Sequence, residues 1–278
     1  MNFYSPLRYP GGKFKLVKYF KELIIKNNLN GGVYVEPYAG GASVAWSLLL
    51  DNYVSKIIIN DYDKSIYAFW YSVLNDTERL CNKIKRTKVN LKVWEKQKKI
   101  QENKEKADLL SLGFSTFFLN RTNISGIITA GPIGGKKHES EWKINCRFNK
   151  EDLIKRIKII SAFKDKIELY NEDAVNLLSN LRKKLGKKVL FYLDPPYYVK
   201  GKELYFNFYN YEDHLAVSEE IKRIKTQKWV VTYDDVKTIN NLYKEFKPTS
   251  FSLNYSAGKT QRGKELIIFS KNINRIVI

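Results

Sequence analysis

Val189-Leu190-Phe191-Tyr192-Leu193-Asp194-Pro195-Pro196-Tyr197-Tyr198 reads as a buried strand that stops in a carboxylate, two prolines and two aromatic rings. Five apolar or aromatic residues in a row, without polar alternation, are the pattern of an interior parallel strand covered on both faces. Neither proline has an N–H to give to a ladder, so the chain leaves the sheet there. A side chain just beyond the carboxyl end of a parallel strand lies where open α/β sheets bind ligands. Asp194 brings an acceptor-only carboxylate, the prolines leave carbonyls untied by a following amide, and Tyr197 brings a flat ring. That set suits a planar group bearing an amino function. The same ten residues also fit a plain strand-to-loop turn, and the rest of the chain decides between the two.

A chain of 278 residues can bury one large core, or one core plus a smaller domain. No apolar run approaches the roughly 20 residues that span a bilayer. Met1 to Lys13 lacks the apolar segment of a signal peptide. A cytoplasmic protein without a membrane partner is the expectation. Cys81 and Cys146 lie in no Cys-x-x-Cys or Cys/His cluster, so neither a disulfide framework nor a metal site is indicated. The balance of 49 Lys+Arg against 29 Asp+Glu gives +20, which points to a polyanionic partner, although an A·T-rich genome would also favour lysine. The distribution is more telling. Residues 64–164 hold 22 Lys+Arg and 10 Asp+Glu, a net of +12.

Around the first stretch the chain repeats one device. Val33-Tyr34-Val35-Glu36 is a short strand, followed by Pro37-Tyr38-Ala39-Gly40-Gly41-Ala42-Ser43, a glycine-bearing turn into a helix through Trp46 and Leu50. It is not Gly-x-Gly-x-x-Gly, and Glu36 would repel a pyrophosphate laid on the helix N-terminus. The next strand, Lys56 to Asp61, ends in an acid near the offset at which a carboxylate takes a ribose hydroxyl pair. A third, Lys166 to Tyr170, precedes Asn171-Glu172-Asp173. Glu36, Asp61, Asp173 and Asp194 thus close four strands. If those strands are parallel in one sheet, the acids line one crevice fit for a cationic, ribose-containing cofactor. S-adenosylmethionine has a sulfonium, an ammonium and a ribose, and no phosphate. Tyr9-Pro10-Gly11-Gly12-Lys13 is a glycine turn delivering one lysine, which can meet a carboxylate or a phosphate and is expected to take the cofactor's carboxylate.

Between Lys64 and Lys164 strand signals are scarce, and helical patterns run over Ser65–Leu74, Leu91–Ile100 and Ala107–Leu119. The expected fold is therefore α/β: a Rossmann-like sheet built from residues 1–63 and 161–278, with a mostly helical insert over residues 64–160. The insert carries Asn120-Arg121-Thr122-Asn123-Ile124-Ser125-Gly126 and a glycine-rich basic run to Lys136, Lys137 and His138, with Trp142, Arg147 and Phe148 close behind. Polar, basic loops of this kind reach a duplex. Tyr205 to Tyr211 is dense in aromatics, as a core or the wall of a base pocket would be. A helix Glu212–Lys225, a strand Lys228–Thr232, a helix around Val236–Phe246 and a terminal pair Pro248–Asn254 and Glu265–Ser270 complete the sheet. Tyr255 to Gly263 reads as a basic loop between the last two strands.

Taken in order, Tyr-Pro-Gly-Gly-Lys (9–13), Val-Glu-Pro-Tyr-Ala-Gly-Gly (35–41), Asn60-Asp61, Phe-Leu-Asn-Arg-Thr (118–122), Cys-Arg-Phe-Asn (146–149) and Asp-Pro-Pro-Tyr (194–197) resemble the Dam-type (D12 class, alpha-group) DNA adenine-N6 methyltransferases of the class I S-adenosylmethionine-dependent fold. The resemblance spans nearly the whole chain. It implies that Tyr9, Lys13, Glu36, Pro37, Tyr38 and Gly40 hold the cofactor, that Asp61 meets its ribose, and that Asp173 lies near its adenine, with Asp194 also in reach. Asp194, Pro195, Pro196 and Tyr197 would be the catalytic tetrad. Residues 64–160 would be the target-recognition domain, with Asn120, Arg121, Thr122, Asn123, Ile124, Ser125, Lys136 and Lys137 on double-stranded DNA. Arg121 and Asn123 would be the direct base readers and the two lysines phosphate contacts.

The implied reaction flips an adenine from the duplex, stacks it on Tyr197, and holds its amine against the Asp194 carboxylate and the Pro195 carbonyl. Cytosine C5 chemistry needs a nucleophilic cysteine, typically after a proline, whereas Cys81 and Cys146 follow Leu80 and Asn145. Related pockets that methylate a protein glutamine or RNA are the rival enzymes, and a catalytically dead DNA-binding relative is the rival without chemistry. Asp194 and the basic insert favour DNA. A role in restriction-modification, beside a separate cognate endonuclease, fits the family. One departure bears on specificity. Where readers of GATC carry a Tyr-Asn pair and, four residues after the asparagine, an arginine for guanine, this chain has Ile124-Ser125 and Thr129. Ile124 remains able to wedge into a base stack.

Overall fold

Val189–Leu193 forms β4, buried at all five positions, in a computed structural model that describes residues 2–8, 13–136, 141–199, 209–257 and 259–277, the side chains of 253–262 excepted. The chain divides into two compact units: Lys13–Tyr62 with Lys166–Ile278, and Asp63–Asp165 with the residues up to Gly12.

In the first unit β4 lies between β1 (Gly32–Glu36) and β5 (Lys228–Asp234), parallel to both. β2 (Val54–Asn60) and β3 (Ile167–Tyr170) extend the parallel sheet beyond β1. β7 (Lys259–Phe269) joins β5 antiparallel, and β6 (Thr249–Ala257) closes the edge. The order is β3-β2-β1-β4-β5-β7-β6. The chain winds outward from β1 to β3 and returns to the other side of β1, so the order reverses between β1 and β4. A crevice opens at the carboxyl ends of such a pair. Where a loop is expected over residues 255–263, residues 255–257 and 259–263 are instead paired backbone of β6 and β7.

β4 is apolar without alternation because both its faces are covered. Val189, Phe191 and Leu193 join a core with Leu177, Leu178 and Leu181 of α8 (Ala174–Lys184), Val217 and Ile221 of α9 (Tyr211–Lys222) and Ile239 of α10 (Lys237–Leu242). On the opposite face Tyr192 packs on Phe20 of α1 (Val17–Lys26), ring centroids 4.5 Å apart. Burial on both sides makes the sheet a stiff platform.

Three turns at the carboxyl edge are tied by one side chain. Asn60, fully buried at the end of β2, donates to the Pro37 carbonyl at 2.9 Å and the Glu172 carbonyl at 3.0 Å, and accepts from the Glu172 N–H at 2.8 Å. Ala39 donates to the Asn60 carbonyl at 2.9 Å. The turns after β1, β2 and β3 therefore share one hydrogen-bond network, and α2 (Ser43–Leu50) starts from it.

The second unit contains α3 (Lys64–Asn75), α4 (Thr77–Arg86), α5 (Leu91–Glu102), α6 (Leu109–Thr122) and α7 (Lys150–Ser161). α4 and α7 had not been anticipated. Each buries a thin apolar stripe, Leu80-Cys81-Ile84 and Leu153-Ile157-Ile160, under a heavily charged surface. Gly113 lets α6 approach α3, since a Cβ there would stand 2.4 Å from the Ala68 carbonyl oxygen. Phe69 and Phe117 stack at 5.8 Å. Among the described residues no helix is long and apolar enough to cross a membrane.

Asn60→Ala deletes one acceptor and two donors from a buried site. It is expected to lower the unfolding free energy by about 1–3 kcal/mol in urea titration.

Candidate active site

Asp194 follows β4 directly, and each of its oxygens is already engaged. Lys13 Nζ donates to Oδ2 at 2.8 Å, and the Thr232 hydroxyl of β5 donates to Oδ1 at 2.7 Å. Tyr192 lies 2.9 Å behind Thr232, hydroxyl to hydroxyl. A carboxylate oxygen has two lone-pair sites, so each keeps one acceptor position. The side chain of Asp194 is 21% exposed, whereas that of Lys13 is 4% exposed. The Lys13 ammonium also donates to the Tyr197 hydroxyl at 3.2 Å and stands 3.5 Å from Glu265 Oε1. Lys13 was expected to take a cofactor carboxylate. In this structure the buried ammonium lies among protein carboxylates.

Tyr197 is expected to stack on the flipped adenine. It is buried, and its hydroxyl, besides accepting from Lys13, donates to Glu265 Oε1 at 2.7 Å. Beyond it, Asp234 at the end of β5 accepts from the N–H groups of Tyr198 (2.9 Å) and Val199 (3.0 Å), fixing the chain that follows the two prolines.

The other strand-end acids lie at the same edge, each differently bound. Glu36, last in β1, is buried, and its Oε2 has no hydrogen-bond partner. Burial, then the charge of Asp194, pushes its carboxyl up to about 8. Asp61 accepts from the Gly40 N–H at 2.9 Å, a bond joining the β2 end to the glycine turn, where Gly40 has φ +45°. Asp173 caps α8, its Oδ1 accepting from Val175 and Asn176 at 3.0 and 3.2 Å. Tyr38 meets Tyr209, hydroxyl to hydroxyl at 3.2 Å. Once ionised, Glu36 would repel a phosphate group. A cation brought beside it would favour its ionised form and complete its orphaned oxygen, so the donor set fits a cationic cofactor without phosphates. Tyr9, Lys137 and residues 205–208 lie outside the described residues.

In the helical unit the polar run of the expected DNA loop turns inward. Asn123 is fully buried: its Oδ1 accepts from Trp94 Nε1 at 2.6 Å, and its Nδ2 donates to the carbonyls of Ile127 and Ile128, both at 2.9 Å. Asn120, also buried, accepts from the Arg8 N–H at 2.7 Å and donates to the carbonyls of Arg8 and Gly126. The Thr122 hydroxyl donates to the Phe118 carbonyl, and Arg121 Nε to the Arg147 carbonyl at 2.9 Å. Burial, then the charge of Arg8, lowers the Arg121 guanidinium to about 10. These four brace the loop from within. Ile124, 55% exposed, is at the surface, Ser125 beside it has φ +55°, and exposed Lys136 rests over the Trp94 ring. Phe148 packs on Phe117 and Phe118 as core.

Glu265, Thr232 and Asp234 were missed. Glu265 heads the apolar run Leu266 to Phe269, and a lone charge on such a strand is a usable signal. Asp234 ends β5 as the other acids end theirs. Thr232 carried no signal.

With this geometry stated, likeness to known proteins becomes informative. The family model described as D12 class N6 adenine-specific DNA methyltransferase matches residues 9–256. The chain is 24% identical over 226 residues to the Type II methyltransferase M.MjaIII of Methanocaldococcus jannaschii, covering 74% of this chain and 73% of that protein. Among solved structures it is similar to the rRNA methyltransferase aviRa from Streptomyces viridochromogenes, with TM-score 0.43, 11% identity, and 95% and 88% of the two chains covered. It is also similar to a SAM-dependent methyltransferase from Agrobacterium tumefaciens, with TM-score 0.42, 8% identity, and 92% and 62% covered. Structural likeness of that degree carries no argument here.

Two outcomes follow from the side-chain environments. Between pH 4.5 and about 8 the folded state holds a proton on Glu36 that the unfolded state has lost, so stability falls as pH rises through that window. Over it, wild type should lose ~3–5 kcal/mol more than Glu36→Gln in urea titrations repeated across pH. Asn123→Ala should cost about 1–3 kcal/mol in thermal or urea unfolding, because it strands the Trp94 N–H and two carbonyls. A variant as stable as wild type would return Asn123 to the loop surface.

Proposed function

The chain belongs to the D12 class of N6 adenine-specific DNA methyltransferases, and on that premise we propose that it flips an adenine out of double-stranded DNA and presents the amine to the Asp194 carboxylate at the end of β4. Its methyl donor is S-adenosylmethionine, and DNA is its substrate. One observation carries the proposal: both Asp194 oxygens are aimed by neighbours, Lys13 on one and Thr232 on the other, and both retain an acceptor site.

Asp194 and the Pro195 carbonyl accept the two amine hydrogens. Held so, the nitrogen lone pair is drawn out of conjugation with the ring and directed at the methyl group, and orientation supplies much of the acceleration. Tyr197, anchored by its hydroxyl to Glu265, walls the pocket. The donor, when bound, supplies an electrophilic methyl: the N–C bond forms as the C–S bond breaks, sulfur keeps the electron pair, and N6 releases one proton to solvent. Glu36, Asp61 and the Pro37 to Gly40 turn hold the donor's charged and ribose groups, with Asp173 at the adenine end. No covalent enzyme intermediate is involved.

The helical unit, residues 64–160, is the target-recognition domain of this reading. Its support is charge: Lys92, Lys96, Lys99 and Lys106 line an open groove of about 610 Å³ beside α5, with Glu95 its lone acid, and none of these lysines is ion-paired among the described residues. Lysines so placed meet phosphates, and base contact falls to the exposed Ile124 turn and its neighbours. The description of M.MjaIII as Type II supports a place in restriction-modification, with a cognate endonuclease acting separately.

Asp194→Ala is expected to abolish N6-methyladenine formation while DNA affinity stays within a few-fold, because it removes an acceptor for the base and no phosphate contact. Methyl transfer from labelled donor to duplex DNA and gel-shift titration read the two quantities. Turnover within tenfold of wild type would overturn the assignment of Asp194.

A further inference from the structure

Glu265 is a carboxylate the reaction as described does not use. It sits in β7, 2% exposed, ahead of four buried apolar residues. A buried charge on such a strand costs stability, and an apolar side chain there would be cheaper. Its surroundings give it a task. Oε1 accepts from the Tyr197 hydroxyl at 2.7 Å and stands 3.5 Å from Lys13 Nζ, the same ammonium that donates to Asp194 Oδ2 at 2.8 Å and to Tyr197 at 3.2 Å. Oε2 has no partner. One ammonium is thus shared between two carboxylates, and one tyrosine hydroxyl is held between the ammonium and the second carboxylate.

We propose that Glu265 is a positioning residue for methyl transfer: by sharing the charge of Lys13 and orienting the Tyr197 hydroxyl, it leaves the Asp194 carboxylate a strong acceptor for the target amine. The proposal rests on the reading that Asp194 holds that amine. Were Glu265 neutral, Lys13 would pair with Asp194 alone, the Oδ2 lone pairs would be drawn to the ammonium, and the amine would be held less firmly. Glu265 is 2% exposed, so affinities for DNA and for the methyl donor are expected to change little.

A dependence on pH follows. The described groups facing Glu265 are Lys13 in the 3-10 turn before α1, Asp194 after β4 and Tyr197 beyond it. Its register partners are Asp234 in β5, engaged with the Tyr198 and Val199 amides, and Phe251 in β6. Burial, then the charge of Asp194 against the pull of Lys13, raises the Glu265 carboxyl above its ordinary value. As pH falls it takes up a proton earlier than an exposed glutamate and becomes the electrical equivalent of glutamine. The wild-type transfer rate therefore falls on the acid side, and Glu265→Gln should be slow at every pH, without that limb.

The test is single-turnover methylation of duplex DNA by wild type, Glu265→Gln, Glu265→Asp and Tyr197→Phe, with donor and DNA affinities and melting temperatures alongside. Glu265→Gln is expected to lose about tenfold in rate at pH 7.5, to keep both affinities within twofold, and to lose the acid limb. Glu265→Asp should recover part of the rate and the limb. An unchanged rate for Glu265→Gln, or a rate, affinities and melting temperature that fall together with the acid limb kept, would overturn the proposal. Should Glu265→Gln not fold, Tyr197→Phe decides: it breaks the same link, and an unaltered rate refutes the role. Failure of the underlying reading has another signature, a wild type that transfers methyl to no adenine, or an Asp194→Ala variant that still does.

Discussion

The ammonium of Lys13 is the constraint on which the active edge is built. It is nearly closed off from water and lies within ion-pair distance of Asp194 and Glu265, with Glu36 close enough to feel the field of Asp194. A buried cation is tolerated only where acids surround it, and three acids around one cation cannot all ionise without cost. Burial resolves this at Glu36, whose carboxyl is held up to about 8 and so keeps its proton, which leaves Lys13 shared between Glu265 and Asp194, the more exposed of that pair. Charge balance therefore singles out one carboxylate as the group a substrate can meet.

That arrangement needs a platform that does not yield, and the parallel sheet provides it. β3, β2, β1 and β4 bring their carboxyl ends to a single edge. The turns after β1, β2 and β3 are locked to each other through Asn60, and the glycine turn is drawn to β2 by the bond between Gly40 and Asp61. Glu265 arrives from the antiparallel strand β7, so the site depends on the far side of the sheet as much as on the parallel half. Positioning of this kind, in which each acceptor is aimed by a neighbour that is itself held, suits a reaction whose barrier is lowered by orientation.

The helical unit follows a different economy. Its asparagines and threonine are spent inside the loop, replacing backbone partners that a tight turn cannot supply, and its aromatic rings fill the space between α3 and α6. Ile124 at a strained turn reaches solvent, and Lys92, Lys96, Lys99 and Lys106 have no ion-pair partner among the described residues. The loop is rigid within and sparse outside, so binding to a polyanion comes from charge spread over the helices, with few side chains left for base contact.

The primary structure by itself determined the class of fold, because an unbroken apolar run closed by two prolines reads as an interior strand leaving its sheet, and because acids repeated at strand ends share an edge once those strands are parallel. It determined the family too, through motifs set by local backbone needs at the glycine turn and the Asp-Pro-Pro-Tyr stretch. Partnership was decided by tertiary structure alone. Lys13 and Asp194 are 181 residues apart, and Tyr197 and Glu265 are 68 apart, separations at which no spacing rule operates. Whether Asn123 reads a base or binds Trp94 depends on which way a side chain of identical chemistry points, and that is set by how α5 packs against α6. Periodicity and turn chemistry are local and survive in a string of letters. Burial and pairing belong to the folded chain, where the same lysine or asparagine acquires its role from whatever the rest of the molecule has brought beside it.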